Sequence, residues 1–502
     1  MTVSNPQGAQ GSPRAKPVAG FLAAVAVHPR AWLLALIFSA ALCAVGNLPW
    51  HLDNYDQAKQ AFVAYEIAHG GDVFFQHTPR GRIATKPPLA GWISLPVFYA
   101  TGSWDLAWRL PGYLAFLALA LLVAAAGKNF WPEGGAALAV CALSLNLLTP
   151  RIATLVRTDM MLSLWIGICG LLILRVVTRG DGWRAGERTV FFAAMLAALL
   201  TKGPIIYAFL VPGMAAYAFL GPRGKRHLVW SGWWTWVVPL LVFIAWGVAG
   251  ILTNEEFYNQ VVVQEFFSRF DQSLKSHEKQ QPIWFYFPHL LHKFLPWSAL
   301  VIALPAFSAN VRRAVRENPG LLWLVCWALG GLLLMTFIPS KRVDRIFPVV
   351  VPLAVLLPGM VAACRCGVRV RAWCGASMLA AAAFSGVYFI GIVVMGYRDG
   401  NDALVRFGRE AAALAAQSGE GRFAIVGGRD EGLVMYCGLP GTIHRDRAER
   451  LWREGYIDAL VYPSGKPPAI QNPPAPELES GLRPSGENYH LILREPPLPG
   501  DP

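Results

Sequence analysis

Charged residues are scarce in this chain. They make up 15% of the 502 residues, whereas 55% are hydrophobic and the mean hydropathy is +0.40. So little polar surface cannot cover a soluble globule of this size, which favours a polytopic membrane protein. A disulfide framework is also excluded, because only Cys437 of the eight cysteines lies outside an apolar segment or its immediate flank.

Signals for nucleic-acid or dinucleotide binding are missing as well. The net charge of +13 comes from basic residues in short clusters between apolar segments, which is typical of topogenic charge. No basic and aromatic module stands apart from the membrane segments, so we expect no nucleic-acid partner. The glycine pair at 427–428 lacks the G-x-G-x-x-G spacing of a dinucleotide site.

Apolar runs dominate the first four fifths of the chain and predict an all-α membrane bundle of about eleven transmembrane helices. The first run follows a polar, basic tail and has no small-residue cleavage pattern, so we interpret it as an uncleaved membrane helix. The predicted segments are 31–48, 108–126, 134–149, 159–177, 189–201, 204–220, 232–252, 286–308, 320–338, 346–364 and 373–395.

Basic residues of alternate loops give the orientation. If residues 1–30 are a cytoplasmic tail, one set of loops is basic and falls on the cytoplasmic side, as the positive-inside rule requires. These residues are Lys128, Arg175, Arg179, Arg184, Arg188, Arg223, Lys225, Arg226, Arg312, Arg313, Arg316, Arg365, Arg369 and Arg371. Residues 31–396 then form the transmembrane domain, with 49–107 as the first extracytoplasmic loop, and 397–502 lie outside.

Six basic residues contradict this orientation bias, because they lie at the extracytoplasmic ends of predicted helices. Each one alone is explained by a side chain that snorkels to the lipid headgroups. Together they favour a shared anionic ligand, since a buried phosphate needs cations around it. The six residues are Lys86, Arg157, Lys202, Lys341, Arg342 and Arg345.

The first long loop contains a predicted amphipathic helix at 54–69, where apolar residues recur at helical spacing before a glycine pair. Asp56 and Lys59 lie on one face of it. Asp56 is either a first-turn acid that the helix dipole stabilises or a carboxylate for chemistry, and the two roles are compatible. Further on, a proline pair after Lys86 predicts a helix start, where an anion is well held.

Motifs in this loop resemble a known family. The order D-Q-A-K (56–59), G-D (71–72) and T-K-P-P-L (85–89) is similar to the D-E-A-R, G-D, E-K-P-P-L signature of GT-C superfamily glycosyltransferases that use lipid-linked sugars. Among them the chain resembles the lipid A aminoarabinose transferases and bacterial protein O-mannosyltransferase family members. Further ordered matches, within a resemblance over about 31–360, are A-W-R-L-P (107–111), R-T-D-M-M-L (157–162), L-T-K-G-P (200–204), H-E-K-Q-Q-P-I-W-F-Y (277–286), L-P-W-S (295–298) and P-S-K-R (339–342).

The resemblance implies a helical membrane fold and a polyprenyl-phosphate sugar as donor. It assigns Asp56 as the catalytic acidic residue and Asp159 as a second acidic residue at the active site, although Asp159 also fits an N-terminal acid after Thr158. It implies that basic residues hold the donor phosphate: Lys59, Lys86 and Lys202, with Lys341, Arg342 and Arg345 as additional cations.

Three departures from the family pattern matter, and one of them is Gln57, which replaces a common glutamate. Thr85 replaces a glutamate that helps to coordinate a metal in some relatives, so we expect no metal ligand here. Lys59 replaces the usual arginine and loses bidentate phosphate geometry. Secondary candidates for substrate contacts are Tyr55, Arg157, His277 and Glu278, although the last two precede an aromatic W-F-Y-F stretch that also fits an interfacial belt.

Beyond residue 397 the composition changes. The stretches 422–428, 457–463 and 489–495 predict strands, and 445–455 predicts a helix, which together indicate a small α/β domain. The whole pattern predicts a monomeric glycosyltransferase of the bacterial cytoplasmic (inner) membrane, transferring a sugar to an extracytoplasmic acceptor such as lipid A, another glycan or lipid, or protein. The alternative is a transporter or flippase of a lipid-linked sugar, although we find no internal repeat in the sequence.

Overall fold

A computed structural model describes residues 15–52, 55–267, 281–365, 367–417, 422–470, 473–481 and 487–494. In the first half of the chain the helices are α1 (Ala15–Val27), α2 (Ala31–Val45), α3 (Tyr55–Ala68), α4 (Leu89–Thr101), α5 (Trp104–Phe130), α6 (Gly135–Ser144), α7 (Thr149–Thr154), α8 (Asp159–Arg179), α9 (Ala185–Lys202), α10 (Ile205–Leu220) and α11 (Trp234–Thr253). A 3₁₀ helix, Arg226–Val229, precedes α11.

The second half continues the bundle and then leaves it. Its helices are α12 (Glu255–Phe257), α13 (Tyr286–Lys293), α14 (Trp297–Phe307), α15 (Ala309–Glu317), α16 (Pro319–Phe337), α17 (Val350–Ala363), α18 (Val368–Arg398), α19 (Ala403–Gln417), α20 (Leu433–Tyr436) and α21 (Arg445–Arg453). A π-helix, Tyr258–Phe266, follows α12, and a 3₁₀ helix, Val343–Val349, leads into α17.

The helical membrane bundle is confirmed. Within the described residues, six helical stretches are long and apolar enough to span a membrane, or eight if each of two bent pairs counts as one span. The chain is therefore an integral membrane protein. The figure of about eleven spans is not confirmed, because α4, α6 and α10 are apolar but shorter than the roughly 20 residues that a straight crossing needs.

One predicted span is wrong as a continuous helix. The segment 286–308 consists of α13 and α14, whose axes meet at 101°. Pro296 occupies the N-cap position of α14, where a residue without an N–H group cannot continue the hydrogen-bond ladder of α13. The N-terminal tail also differs from a plain polar extension, because α1 packs along α18.

Small residues allow one of the close helix contacts of the bundle. Helices α10 and α16 touch at Gly213 and Gly330, where an added Cβ on Gly330 would lie 2.4 Å from the backbone nitrogen of Gly213. Such close backbone approach is how membrane helices gain packing energy without a hydrophobic driving force between them. The core around this contact contains large buried rings, among them Trp323 and Trp327.

The first long loop folds onto the end of the bundle. The predicted amphipathic helix is present as α3, and a β-bridge joins His77 to Ile83 before α4 begins. Pro88 is the N-cap of α4, so the helix start after Lys86 is confirmed.

The small C-terminal domain contains the predicted sheet. Its strands are β1 (Phe423–Ile425), β2 (Ala459–Pro463), β3 (Leu478–Glu479) and β4 (Tyr489–Leu493), in the order β1-β2-β4-β3. β1 runs parallel to β2, while β4 pairs antiparallel with β2 and β3. The predicted helix is α21, which begins at Arg445. The two-residue β3 lies in a stretch predicted as loop, and the helices α19 and α20 were not predicted.

The C-terminal domain packs on the first loop rather than standing apart. Phe62 and Tyr65 of α3 belong to the same buried apolar cluster as Leu433 and Tyr489. The backbone N–H of Leu52 also donates to the hydroxyl of Tyr436 at 2.8 Å. The apolar face of α3 is therefore covered by this domain.

Candidate active site

A cavity of about 280 Å³ brings three of the predicted cations together. Lys86, Lys202 and Arg345 all line it, although they come from the first loop, the end of α9 and the 3₁₀ helix before α17. The rest of the wall is largely apolar and comes from α10, α11 and α16; it includes Ala208, Phe243, Trp246, Leu334, Met335 and Ile338. A pocket with basic groups on one side and apolar walls on the other suits an anionic amphiphile.

Local sequence explains why helix starts face this cavity. Gly203 has φ +77°, a conformation that glycine adopts at low cost, and it ends α9 immediately after Lys202. Pro204 is then the N-cap of α10, as Pro88 is for α4. Because both caps are prolines, no side chain at the cap position forms a capping hydrogen bond to the first N–H groups of either helix. Two helix N-termini, which attract anions, therefore begin beside Lys86 and Lys202.

Asp159 lies at the first turn of α8 and pairs with Lys202. The distance from Lys202 Nζ to Asp159 Oδ1 is 2.5 Å, and the two side chains are only 9% and 7% exposed. Thr158 takes the N-cap position without a side-chain capping bond. Asp159 is thus a first-turn acid and also the partner of a cavity lysine.

Asp56 lies in a second charged group, next to the first. Arg342 donates to Asp56 Oδ2, and Nη2 of Arg157 is 3.9 Å from the same oxygen. Asp344 accepts from Arg157 and lies 3.4 Å from Nη2 of Arg342, so two carboxylates and two guanidiniums alternate. In this arrangement 49% of the Asp56 side chain remains exposed.

These neighbours keep Asp56 ionised. Partial burial acts to raise the pKa of its carboxyl, but the hydrogen bond from Arg342 and the charges of Arg342, Arg157 and Lys86 outweigh it, so the pKa falls below its ordinary value. The contribution of Lys86 links Asp56 electrostatically to the cavity. A carboxylate that is charged at neutral pH and open to solvent can accept a proton or orient a hydroxyl group.

Three residues of this site escaped the sequence analysis. Glu265 lines the cavity and accepts a hydrogen bond from Lys86, but it lies in a loop helix that carries no motif. Asp344 was overlooked between the basic residues of K-R-V-D-R, although an acid inside a basic cluster is a usable signal. Tyr286 is fully buried, and its hydroxyl accepts from the backbone N–H of Arg342 at 3.4 Å.

Two of the predicted cations, Lys59 and Lys341, do not line the cavity. The charge of Lys59 acts on the buried Glu431 of the C-terminal domain. Lys341 is 7% exposed and donates to the carbonyl of Gln281 at 3.1 Å, and burial lowers the pKa of its ammonium. Tyr55 is the first residue of α3.

Two secondary candidates, His277 and Glu278, lie outside the described residues. The W-F-Y-F stretch that follows them divides between two environments, with Trp284 62% exposed and Tyr286 buried. An interfacial belt therefore accounts for Trp284 and not for Tyr286.

The donor set does not resemble a metal centre. Over the parts of the chain that the structure describes, no three His, Cys, Asp or Glu side chains converge as metal ligands must. The two acids that lie nearest each other around Asp56 are held by arginines instead. We therefore derive no chemical step through a metal.

The amino-acid sequence is similar to those of several named enzymes. No family model matches the chain. The undecaprenyl phosphate-α-4-amino-4-deoxy-L-arabinose arabinosyl transferase of Erwinia tasmaniensis is 26% identical over 309 residues, which are 60% of this chain and 54% of that protein. The protein of the same name from Serratia proteamaculans is 26% identical over 329 residues, 64% of this chain and 57% of its own. The chain thus spans a little over half the length of the curated relatives it matches.

Structural comparison gives a more extensive match. The crystal structure of ArnT from Cupriavidus metallidurans bound to undecaprenyl phosphate has a TM-score of 0.68 at 17% identity, covering 92% of this chain and 98% of that one. The archaeal oligosaccharyltransferase AglB from Archaeoglobus fulgidus, in complex with an inhibitory peptide and a dolichol-phosphate, has a TM-score of 0.52 at 13% identity, covering 86% and 69%. The predicted resemblance is confirmed: this chain has the fold of ArnT, and its sequence resembles GT-C glycosyltransferases that use lipid-linked sugars.

Proposed function

We propose that this protein transfers a glycosyl group from a polyprenyl-phosphate sugar to an extracytoplasmic acceptor. The observation that carries the proposal is the cavity in which Lys86, Lys202 and Arg345 meet an apolar wall, next to the ionised Asp56. The names of the sequence relatives, which are undecaprenyl phosphate aminoarabinose transferases, support the same reaction class.

Donor binding uses both sides of the cavity. The phosphate of the donor takes the basic side, where three cations and two helix N-termini compensate its charge in a setting of low dielectric. The first carbons of the polyprenyl chain lie against the apolar side, which includes Phe243 and Trp246 of α11. This division positions the sugar, which is bonded to the phosphate, towards Asp56.

The reaction breaks one bond and forms another at the same carbon. An oxygen of the acceptor attacks the anomeric carbon, and the bond from that carbon to the phosphate oxygen breaks with its electron pair leaving on the polyprenyl phosphate. Lys86, Lys202 and Arg345 stabilise the negative charge that develops there. Where the acceptor is a hydroxyl group, its proton passes to the Asp56 carboxylate.

The role of Asp56 depends on the acceptor. A phosphate acceptor, such as one on lipid A, has no proton that must be removed, and Asp56 then orients the sugar or the acceptor. In both cases Arg342 and Arg157 hold the carboxylate in place, and Asp344 holds the two arginines.

We extend the proposal to the placement of the protein in the cell. It acts as a monomer in the bacterial inner membrane, with residues 31–396 as the catalytic membrane domain. Asp56 and the domain at 397–502 lie on the extracytoplasmic side, which agrees with the positive-inside rule. The acceptor is lipid A or another envelope glycan, lipid or protein on that side.

The test follows a radiolabelled sugar. Purified protein in proteoliposomes is given a panel of labelled undecaprenyl-phosphate sugars and an acceptor lipid fraction, and the label that leaves the donor is measured. We expect Asp56→Asn to lower the transfer rate by about 10²-fold or more, with donor binding retained. Asp446→Asn, which changes an acid that is 78% exposed on α21, is the matched control and should stay fully active.

Two outcomes contradict the proposal. Full activity of Asp56→Asn would remove the catalytic assignment. Donor that crosses the vesicle membrane with its sugar intact, while no label reaches any acceptor, would favour a transporter.

A further inference from the structure

A second cavity, of about 600 Å³, lies at the opposite end of the bundle from Asp56. Helix α5 gives the separation. Its first residue, Trp104, packs against Tyr65 of the first loop, whereas Lys128, in its last turn, lines this cavity. A helix of 27 residues is roughly 40 Å long, so the two sites are a membrane thickness apart.

One part of the wall of this cavity is apolar and reaches the surface that faces lipid. Leu121 of α5 lines the cavity and is 51% exposed, so the cavity continues onto the membrane-facing side of the bundle. Trp32, at the start of α2, also lines it, and an indole of this kind suits the boundary between headgroups and acyl chains. The other apolar lining residues are Val27, Pro29, Ala124, Ala125, Pro132, Ala136 and Ala137.

The charged side chains that line the cavity have a net positive charge. Lys128 and Arg371 contribute two cations, and Glu133 contributes one anion. Arg371 Nη2 binds Glu133 Oε2 at 2.6 Å, and the side chain of Lys128 makes no hydrogen bond or ion pair with any residue that the structure describes. Nδ1 of His28, which also lines the cavity, accepts a hydrogen bond from the backbone N–H of Arg30 at 3.2 Å.

We propose that this cavity binds an anionic phospholipid, with its phosphodiester between Lys128 and Arg371 and an acyl chain along Leu121. Lysine and arginine hold phosphate through charge-assisted hydrogen bonds, and basic pockets between membrane helices on the cytoplasmic side recognise anionic headgroups. A soluble anion would gain nothing from the apolar wall or from its continuation onto the lipid-facing surface. The lipid site is independent of the sugar-transfer proposal, because it shares no lining residue with the cavity formed by Lys86, Lys202 and Arg345.

The experiment measures lipid binding by native mass spectrometry of the full chain in detergent. Phosphatidylglycerol and phosphatidylcholine with identical acyl chains are titrated, so that only the charge of the headgroup differs. We expect preferential retention of phosphatidylglycerol by the wild type. Lys128→Gln should weaken that binding about fivefold, the effect of one basic residue near the headgroups, and Glu133→Gln should strengthen it.

Arg188→Gln is the matched control, since it removes one positive charge from an exposed residue that does not line the cavity. It should bind phosphatidylglycerol as the wild type does. Thermal unfolding in detergent checks that each variant is folded, and Glu133→Gln keeps the proposal testable if Lys128→Gln is unstable.

Three results would overturn the inference. Equal retention of the two lipids removes the charge argument, and equal weakening by Lys128→Gln and Arg188→Gln shows that only overall charge matters. Displacement of the lipid by glycerol 3-phosphate at equal concentration shows that the site takes a free phosphate rather than a lipid.

Discussion

Glu265 occupies the place in the cavity where the donor phosphate is expected, and this gives our sharpest prediction. Its carboxylate accepts a hydrogen bond from Lys86 and lies within the same cavity wall. A phosphate that binds Lys86 must therefore displace Glu265. Glu265→Gln removes the competing charge and should tighten binding of undecaprenyl phosphate.

The magnitude follows from the exposure of the pair. The side chains of Lys86 and Glu265 are 28% and 27% exposed, so solvent screens their interaction in part. Exposed ion pairs contribute up to about 1 kcal/mol, and we use that upper value for this half-buried pair. Because 1.4 kcal/mol corresponds to a tenfold change, the dissociation constant should fall about fivefold.

The assay is equilibrium binding of labelled undecaprenyl phosphate to purified protein in detergent. Glu255→Gln is the matched control, since this exposed acid lies in the same loop segment and outside the cavity. Lys86→Met should weaken binding. An unchanged dissociation constant for Glu265→Gln, equal to that of the control, would refute the idea that the carboxylate and the donor phosphate compete for Lys86.

Two further predictions concern stability. Lys202→Met leaves the buried Asp159 carboxylate without its lysine partner and should destabilise the protein by about 3 kcal/mol or more. Adding Asp159→Asn to this variant should restore much of the melting temperature. No recovery in the double variant would contradict the pairing. The hydrogen bond to Glu66 raises the pKa of His77 above its ordinary value of 6.5, against a smaller opposing effect of burial. The hydrogen bond between His77 and Glu66 stabilises the fold fully below the pKa that His77 has in the unfolded chain, and this stabilisation is lost as the pH rises through the pKa that His77 has in the folded protein. Glu66→Gln should therefore lower the melting temperature more at pH 6 than at pH 8. An equal effect at both pH values would contradict this.

Regular periodicity made most of the fold predictable. Continuous apolar runs located the long helices such as α8 and α18, and short apolar runs between turn signals located β2 and β4. The break at Pro296 was not predicted, because hydropathy averages over a bend and the same apolar residues serve two short helices as well as one long one. The packing of α1 on α18 was missed for a related reason, since it depends on a tertiary contact that no local pattern encodes.

Those residues of the site could be predicted whose positive charge contradicts the positive-inside rule. Lys86, Lys202 and Arg345 stood out because the positive-inside rule predicts them on the side of the membrane where basic residues are disfavoured. The structure places all three in the wall of one cavity. Lys341 showed the same signal, yet it donates to a loop carbonyl instead. This criterion could not find Glu265, because an acid in a loop between predicted membrane segments carries no signal until the structure places it beside a lysine.

The contact between the C-terminal domain and α3 has a practical consequence for truncated versions of the protein. Phe62 and Tyr65 are covered by side chains from beyond residue 403. A chain that ended before α19 would expose this aromatic patch to water a few residues from Asp56, and such patches promote self-association. Loss of activity in a shortened chain would then reflect an uncovered helix rather than a missing catalytic group.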